Sequence, residues 1–542
     1  MNDRQALRVR RSIQELQKDY EDGDRKPLED LWRAWIGMKA RPPADPQSFH
    51  KLAGYHGAPF RGAGWGTARY WGGYCNHGNV LFPTWHRVYL LKLEEALQSA
   101  PGCEDVMLPY WDELSEDSLT KGLPWALTRQ QVELDGETIP NPLRSFVFPA
   151  NVVDFVNDDD ADYSKLAGYE TVRYPKSGLV GPADKPATDA HNAQFPDEEQ
   201  NIKLLNDNVV AWLNERIIVD GTPVGGRVAK AYRDCLDAPN YTVFSNTTSV
   251  QQWNGDLPAG STPIRSLESP HNAIHLAVGG FDITGVFDAS PIDGANGDMG
   301  ENDTAGFDPI FYFHHCFVDK VFWLWQKRHE ATDELDIIAE YPGTNSVDSQ
   351  NPTPGIAPNS WLDLGTALNP FTRTVNGQEA PYTSRDCINI AKQLGFTYST
   401  GSLDDENDAV AALAEESAPS KIVAVSGINR APIRGSFLVS VFGNVGGERV
   451  HLGTEAVLSR WNVQYCANCQ THLEVKAVFG VPEAGRGVMA AATAEEVDDP
   501  NTYDVQIQTR DGLLTAEQPT PPRMAAAGVV APDRPLYRIQ VR

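Results

Sequence analysis

Two histidines four residues apart open the chemical reading of this sequence. In the run HNAIH, His271 and His275 fall on one face of a helix, one turn apart, as a metal pair requires. A zinc protease of the HExxH kind would carry Glu after the first histidine. Asn272 stands there, so that class is disfavoured. His315 lies in DPIFYFHHCFVD, on a helix that is apolar nearly all round. A neutral imidazole buried among Phe side chains needs a partner, and a metal supplies one. His314 is as good a candidate on spacing alone. Asp319, one turn on, is placed to orient a ligand. The N-terminal half offers His56 in YHG, His77, and His86 at the start of a further helix. Phe82 precedes His86 by four, as Phe311 precedes His315. Two three-histidine sets imply two similar metals. All-imidazole ligation suits copper ahead of zinc and iron.

The elements that must hold these residues are helical. Apolar spacing predicts helices over 5–20 and 27–40, the latter through Leu28, Leu31, Trp32 and Trp35. Residues 41–80 read as loop. A helix follows from Trp85 to Leu97 with Thr84 as its cap. The Pro- and Asp-rich stretch 120–265 reads as loops over a scaffold, with NDDDAD at 157–162 a solvated run. A second helical core begins near Glu268. Its clearest helix runs from Pro309 to Glu330, with Asp308 at the N-cap and Pro309 in the first turn.

Character changes near residue 400. Residues 401–420 carry six acidic and no basic side chains, a linker composition. Beyond it, IVAVSGI, GSFLVSVFGNV, HLEVKAVFGV, YDVQIQT and LYRIQV alternate and are rich in Val, Ile and Phe, the pattern of a small β domain. The expected division is 1–400, 401–420 and 421–542.

With 542 residues and 41% apolar content the chain can bury a large core. A formal charge of −27 argues against nucleic acid or an anionic membrane face as partner. Seven cysteines, an odd number, do not make a disulfide framework. The charged N-terminus has no apolar core of a signal peptide, and no run is long enough to span a membrane. These features set the expectation of a soluble cytoplasmic protein, with export of the folded chain left open. Oligomeric state is not legible.

The runs HGNVLFPTWHRVYLLKLE, from His77 to Glu94, and DPIFYFHHCFVD, from Asp308 to Asp319, resemble the two copper signatures of the tyrosinase and polyphenol oxidase family, to which hemocyanins are related. The resemblance covers about residues 7 to 400. It implies a mainly α fold, an antiparallel four-helix bundle with long loops, holding two copper ions that use O2. By it, copper A takes His56, His77 and His86, and copper B takes His271, His275 and His315. The family pattern, with histidine four before Asp319, selects His315 over His314. Cys75, two residues before His77, sits where fungal-type members join a cysteine to the histidine ring by a thioether. Glu268 and Asn272 match the pair that holds a water for deprotonating monophenols. Phe311 would cover the copper B histidines, and Leu276 and Val286 lie near the pocket entrance.

The resemblance also implies closure by an aromatic-x-Tyr motif, Phe396 to Tyr398, with Arg10 as its partner. The last 122 residues resemble the β-sandwich-like lid domain of latent fungal-type enzymes. Cys466 and Cys469 of CANC would handle copper, with His472 assisting. Relatives insert a plug side chain, often aromatic, before this motif; Val457 and Leu458 stand there instead. The implied activity is that of a tyrosinase, hydroxylating monophenols and oxidising o-diphenols to o-quinones. The alternatives are a catechol oxidase or o-aminophenol oxidase without monophenol activity, and, more remotely, an O2 carrier. Glu268 and Asn272 favour the first.

Overall fold

The structure, a computed structural model, describes residues 7–57, 65–66, 71–72, 74–152, 164–214, 217–219, 222–224, 228–258, 260–280, 294–345, 360–404, 421–460, 463, 473–481, 489–510, 512–515 and 535–542. The acidic run at 157–162, Val286, residues 405–420 of the linker, and Cys466, Cys469 and His472 lie outside the described residues.

Helices dominate the first four hundred residues. Ser12 caps Ile13–Glu21 in a reciprocal capping box with Glu15. Lys26–Lys39 carries Pro27 in its first turn, where no backbone N–H is needed, and buries Leu28, Leu31, Trp32 and Trp35. Phe82–Gln98 packs against Ile310–Arg328, and Glu268–Gly279 packs against both Glu198–Leu213 and Val228–Cys235. Two helix starts differ from expectation. Phe82–Gln98 begins three residues before Trp85, because Pro83 fits the first turn. Thr84 lies inside the helix, and its hydroxyl donates to the Leu81 carbonyl 3.3 Å away. In Ile310–Arg328 the cap falls on Pro309, while Asp308 Oδ1 still accepts from the Ile310 N–H at 3.1 Å.

Arg8–Arg10 and Phe396–Tyr398 pair as parallel strands, with Arg10 opposite Tyr398. The Arg10 guanidinium lies 3.8 Å from the Phe396 ring centre and donates to the Tyr398 hydroxyl at 3.1 Å. Asp319 belongs to this network and corrects the sequence expectation. Its carboxylate accepts from Arg87 Nε at 2.6 Å and from the Tyr398 hydroxyl at 2.5 Å, tying its helix to Phe82–Gln98 and to the strand Phe396–Tyr398, and neither bond reaches a histidine.

Beyond residue 420, Lys421–Asn429 lies between Glu474–Val481 and Arg538–Val541 in one antiparallel sheet. A second sheet runs in the order Glu448–Val457, Phe437–Val445, Tyr503–Thr509, Gly512–Leu514. The edge strand Glu448–Val457 rests on the helix Glu268–Gly279, and Glu474–Val481 on Thr247–Asp256. Among the described residues no helix is long and apolar enough to cross a membrane.

Candidate metal centre

The helices Glu268–Gly279 and Ile310–Arg328 bring His271, His275 and His315 together. Their Nε2 atoms form a triangle with sides of 3.1, 3.2 and 3.3 Å. The protons can be placed by their partners. His275 Nδ1 faces the Met299 carbonyl at 2.9 Å and His271 Nδ1 faces Asn272 Oδ1 at 3.0 Å, both acceptors only. These two rings therefore donate through Nδ1 and turn a bare Nε2 lone pair inward, toward the Nε2 of His315. Converging lone pairs at this spacing fit a cation about 2 Å from each.

The second set is His56, His77 and His86. His86 Nδ1 donates to the Phe82 carbonyl at 2.8 Å, leaving Nε2 as the free lone pair. The Nε2 atoms of His56, His77 and His86 are buried without a hydrogen-bond partner. Buried polar atoms are rarely left so, and a metal accounts for them. The two sets face each other: the His86 and His315 rings stack 4.5 Å apart, and His77 stacks on His271 at 5.6 Å. Phe311 lies between them, 3.9 Å from His315 and 4.6 Å from His56.

His314 lies in the same cluster, within 4.8 Å; its Nδ1 is held by Glu113 Oε1 at 2.6 Å and its Nε2 is buried without a hydrogen-bond partner, so what separates it from His315 is that its Nε2 makes none of the close contacts of the triangle. Nothing local in the sequence marked Glu113 as this partner. Burial drives the histidine pKa values down, to about 3 for His86 and for His314, and well below the ordinary value for His56, His77, His271, His275 and His315. Neutral imidazoles are the ligating form. They also carry a pH signature. A depressed histidine contributes stability in full above the unfolded value near 6.5, and that contribution is lost as pH falls toward the folded value. The metal-free protein is expected to show a melting temperature that falls steadily from pH 7 to 5. A flat profile across that window would rule out this burial of neutral imidazoles.

Glu268 is 3% exposed. Its Oε1 accepts from the Gly78 N–H at 2.9 Å, and its Oε2 from the Thr247 N–H at 2.8 Å and hydroxyl at 3.0 Å. Desolvation nevertheless raises its pKa. Asn272 Nδ2 donates to the Ala456 carbonyl at 3.3 Å. Glu268, Asn272 and His77 line a cavity of about 30 Å³ that Arg430, Val457 and Leu458 close from the other side. That is room for a water. Leu276, which follows His275, is fully buried. Cys75 is buried, and its sulfur accepts from Arg460 Nη2 at 3.2 Å. None of the described cysteines forms a disulfide.

Two facing three-imidazole sets, one carried by two helices and the other by the His86 helix and two irregular segments, have the make-up of a binuclear metal site. Residues 46–328 match the family model described as the common central domain of tyrosinase. The chain is 52% identical over 500 residues to a tyrosinase, HcTyr2, from Hahella sp. (strain CCB-MM4), covering 88% of this chain and 89% of that one. It is 48% identical over 497 residues to a tyrosinase of Aspergillus oryzae, covering 86% and 87%. A solved structure of a tyrosinase from Burkholderia thailandensis at low pH superposes with a TM-score of 0.81 at 48% identity, covering 99% of this chain and all of that one. The chain belongs to the tyrosinase family, whose members bind two copper ions through histidines and use O2.

Proposed function

We propose that the protein is a tyrosinase, ortho-hydroxylating monophenols and oxidising o-diphenols to o-quinones, and that its C-terminal domain keeps it latent until displaced. The facing sets His56, His77, His86 and His271, His275, His315 carry this reading. Bound copper supplies the two-electron chemistry with O2. The chain supplies the rest. Phe311 and the buried helices exclude water. Glu268 and Asn272 border a water-sized cavity beside His77. A phenol with a pKa near 10 needs a base to ionise, and a carboxylate whose affinity for protons is raised by burial suits that task. Cys75, two residues before His77, is the candidate for a thioether to that ring.

Latency is supported by how the lid closes. Val457 and Leu458 are not aromatic, and the closing contacts are polar. Glu455 takes Arg265 Nη1 at 2.7 Å and the Ser269 hydroxyl at 2.8 Å, and the next carbonyl, of Ala456, takes Asn272. The latch thus grips the first turn of the His271 helix. We expect Arg265→Ala with Glu455→Ala to raise the activity of the uncleaved chain about tenfold, since charge-assisted hydrogen bonds of this kind contribute roughly 1.5–3 kcal/mol each. Tyrosine and DOPA assayed side by side, before and after limited proteolysis, test the whole proposal. Turnover of DOPA alone in every form would leave a catechol oxidase. Full activity in the intact wild type would end the case for latency.

A further inference from the structure

Beyond the latch, the C-terminal domain sends one side chain into the seam between the two histidine sets. Arg460 is 5% exposed. Its Nη1 donates to the Gly57 carbonyl at 2.6 Å and to Asp303 Oδ1 at 3.2 Å, while Nη2 reaches Cys75 Sγ at 3.2 Å. These three acceptors are far apart in sequence, and each belongs to a segment that carries or supports a ligand. Gly57 follows His56. Cys75 comes two residues before His77, and its N–H donates to the His56 carbonyl at 3.2 Å. Asp303 closes the loop that includes Met299, the acceptor for His275.

The seam is tight. A Cβ built on Gly57 would stand 1.8 Å from the Asn302 carbonyl oxygen and 3.0 Å from Asp303 Cα, so glycine is required for the two segments to meet. Neither segment is held in place by regular structure. His56 follows the end of the short helix Phe49–Gly54, and Cys75 to Gly78 is irregular. A helix fixes His86 through its own ladder, but His56 and His77 depend on tertiary contacts for their position. A planar guanidinium with several fixed donors can bridge three acceptors at once, which an ammonium cannot.

We propose that Arg460 is a positioning residue of the copper A pocket: the docked C-terminal domain clamps the His56 and His77 segments together and thereby raises copper A affinity. This gives the lid a constructive role beside the closing one, and it rests on the dicopper reading above. The Asp303 carboxylate offsets the buried positive charge, and the Glu455 latch lies elsewhere, so docking does not depend on Arg460 alone.

The full-length, metal-free chain is the material for the test. A His275→Gln background leaves copper A as the site measured, and a His86→Gln background leaves copper B. Copper binding in competition with a chelator is compared with and without Arg460→Met. We expect copper A affinity to fall on the order of 10- to 100-fold, as it does when residues that orient metal ligands are lost. Copper B affinity should stay unchanged, and protease resistance of the C-terminal domain should be retained. Arg460→Lys, which keeps charge and stem, should recover only part of the loss. Equal copper A affinity in parent and Arg460→Met chains overturns the proposal. So does an equal fall at both sites accompanied by rapid cleavage of the C-terminal domain, which would make Arg460 a docking residue only. A His275→Gln parent that binds no copper overturns the dicopper reading and this proposal with it.

Discussion

Replacing His315 with glutamine is expected to leave one copper per chain and to lower turnover of any phenol by on the order of a thousandfold or more, as removal of one member of an interdependent catalytic unit does. Replacing its neighbour His314 is expected to leave both coppers in place. The two side chains are adjacent on one helix, so the contrast is a test of geometry rather than of neighbourhood. His315 Nε2 stands 3.2 Å from His271 Nε2 and 3.3 Å from His275 Nε2. Those are the separations of nitrogens sharing one ion. His314 presents its Nδ1 to the buried Glu113, and its ring stacks on His271 at 5.3 Å. With its Nε2 outside the triangle its expected role is to pack and to anchor, and glutamine can still accept or donate toward Glu113. Copper stoichiometry by atomic absorption, paired with oxygen uptake on a catechol, reads both outcomes. A His314→Gln protein that holds one copper while His315→Gln holds two would reverse the ligand assignment.

Helical period is what makes this site legible from residues alone. His271 and His275 sit on a helix, where a four-residue spacing means one shared face. His56 and His77 sit on irregular backbone, where spacing carries no direction, so only resemblance to a family's signature places them. Asp319 shows the opposite failure. One helical turn from His315 it is well placed to touch a ligand, yet Arg87 and Tyr398 claim its oxygens from two other segments. No local pattern reveals which distant group will reach a carboxylate first. The start of the His86 helix is similar in kind: Pro83 tolerates the first turn, and that moves the boundary past Thr84.

The C-terminal region is legible as strands and illegible as an interface. Runs rich in Val, Ile and Phe identify Lys421–Asn429 and Phe437–Val445, and both strands are buried along most of their length rather than on one face alone. Glu455 and Arg460 look like ordinary surface charges in sequence. Their partners Arg265, Ser269, Asp303 and Gly57 lie more than 150 residues away, and only the docked arrangement gives them meaning. A missing aromatic at 457 and 458 therefore does not by itself imply a loose lid, since polar contacts can hold what a plug does not.

Glu268→Gln is expected to lower monophenol hydroxylation by at least about a hundredfold, the low end for loss of a positioned general base, while catechol oxidation changes only a few-fold. The split follows from proton demand. A monophenol must lose its proton before its oxygen can react, whereas a catechol carries two adjacent hydroxyls, the first of them more acidic than that of a simple phenol. Glutamine is not a neutral replacement here. Both carboxylate oxygens accept hydrogen bonds, from Gly78 on one side and Thr247 on the other. A carboxamide must turn its NH2 toward one of those donors, and a buried unsatisfied group of this kind costs roughly 1–3 kcal/mol. The variant should therefore melt lower as well. Because a loss of folded protein scales both reactions alike, the ratio of tyrosine to DOPA turnover isolates the base from the stability effect. An unchanged ratio, whatever the melting temperature does, would remove Glu268 from proton transfer and leave it as a structural carboxylate that fastens the His77 loop to the His271 helix.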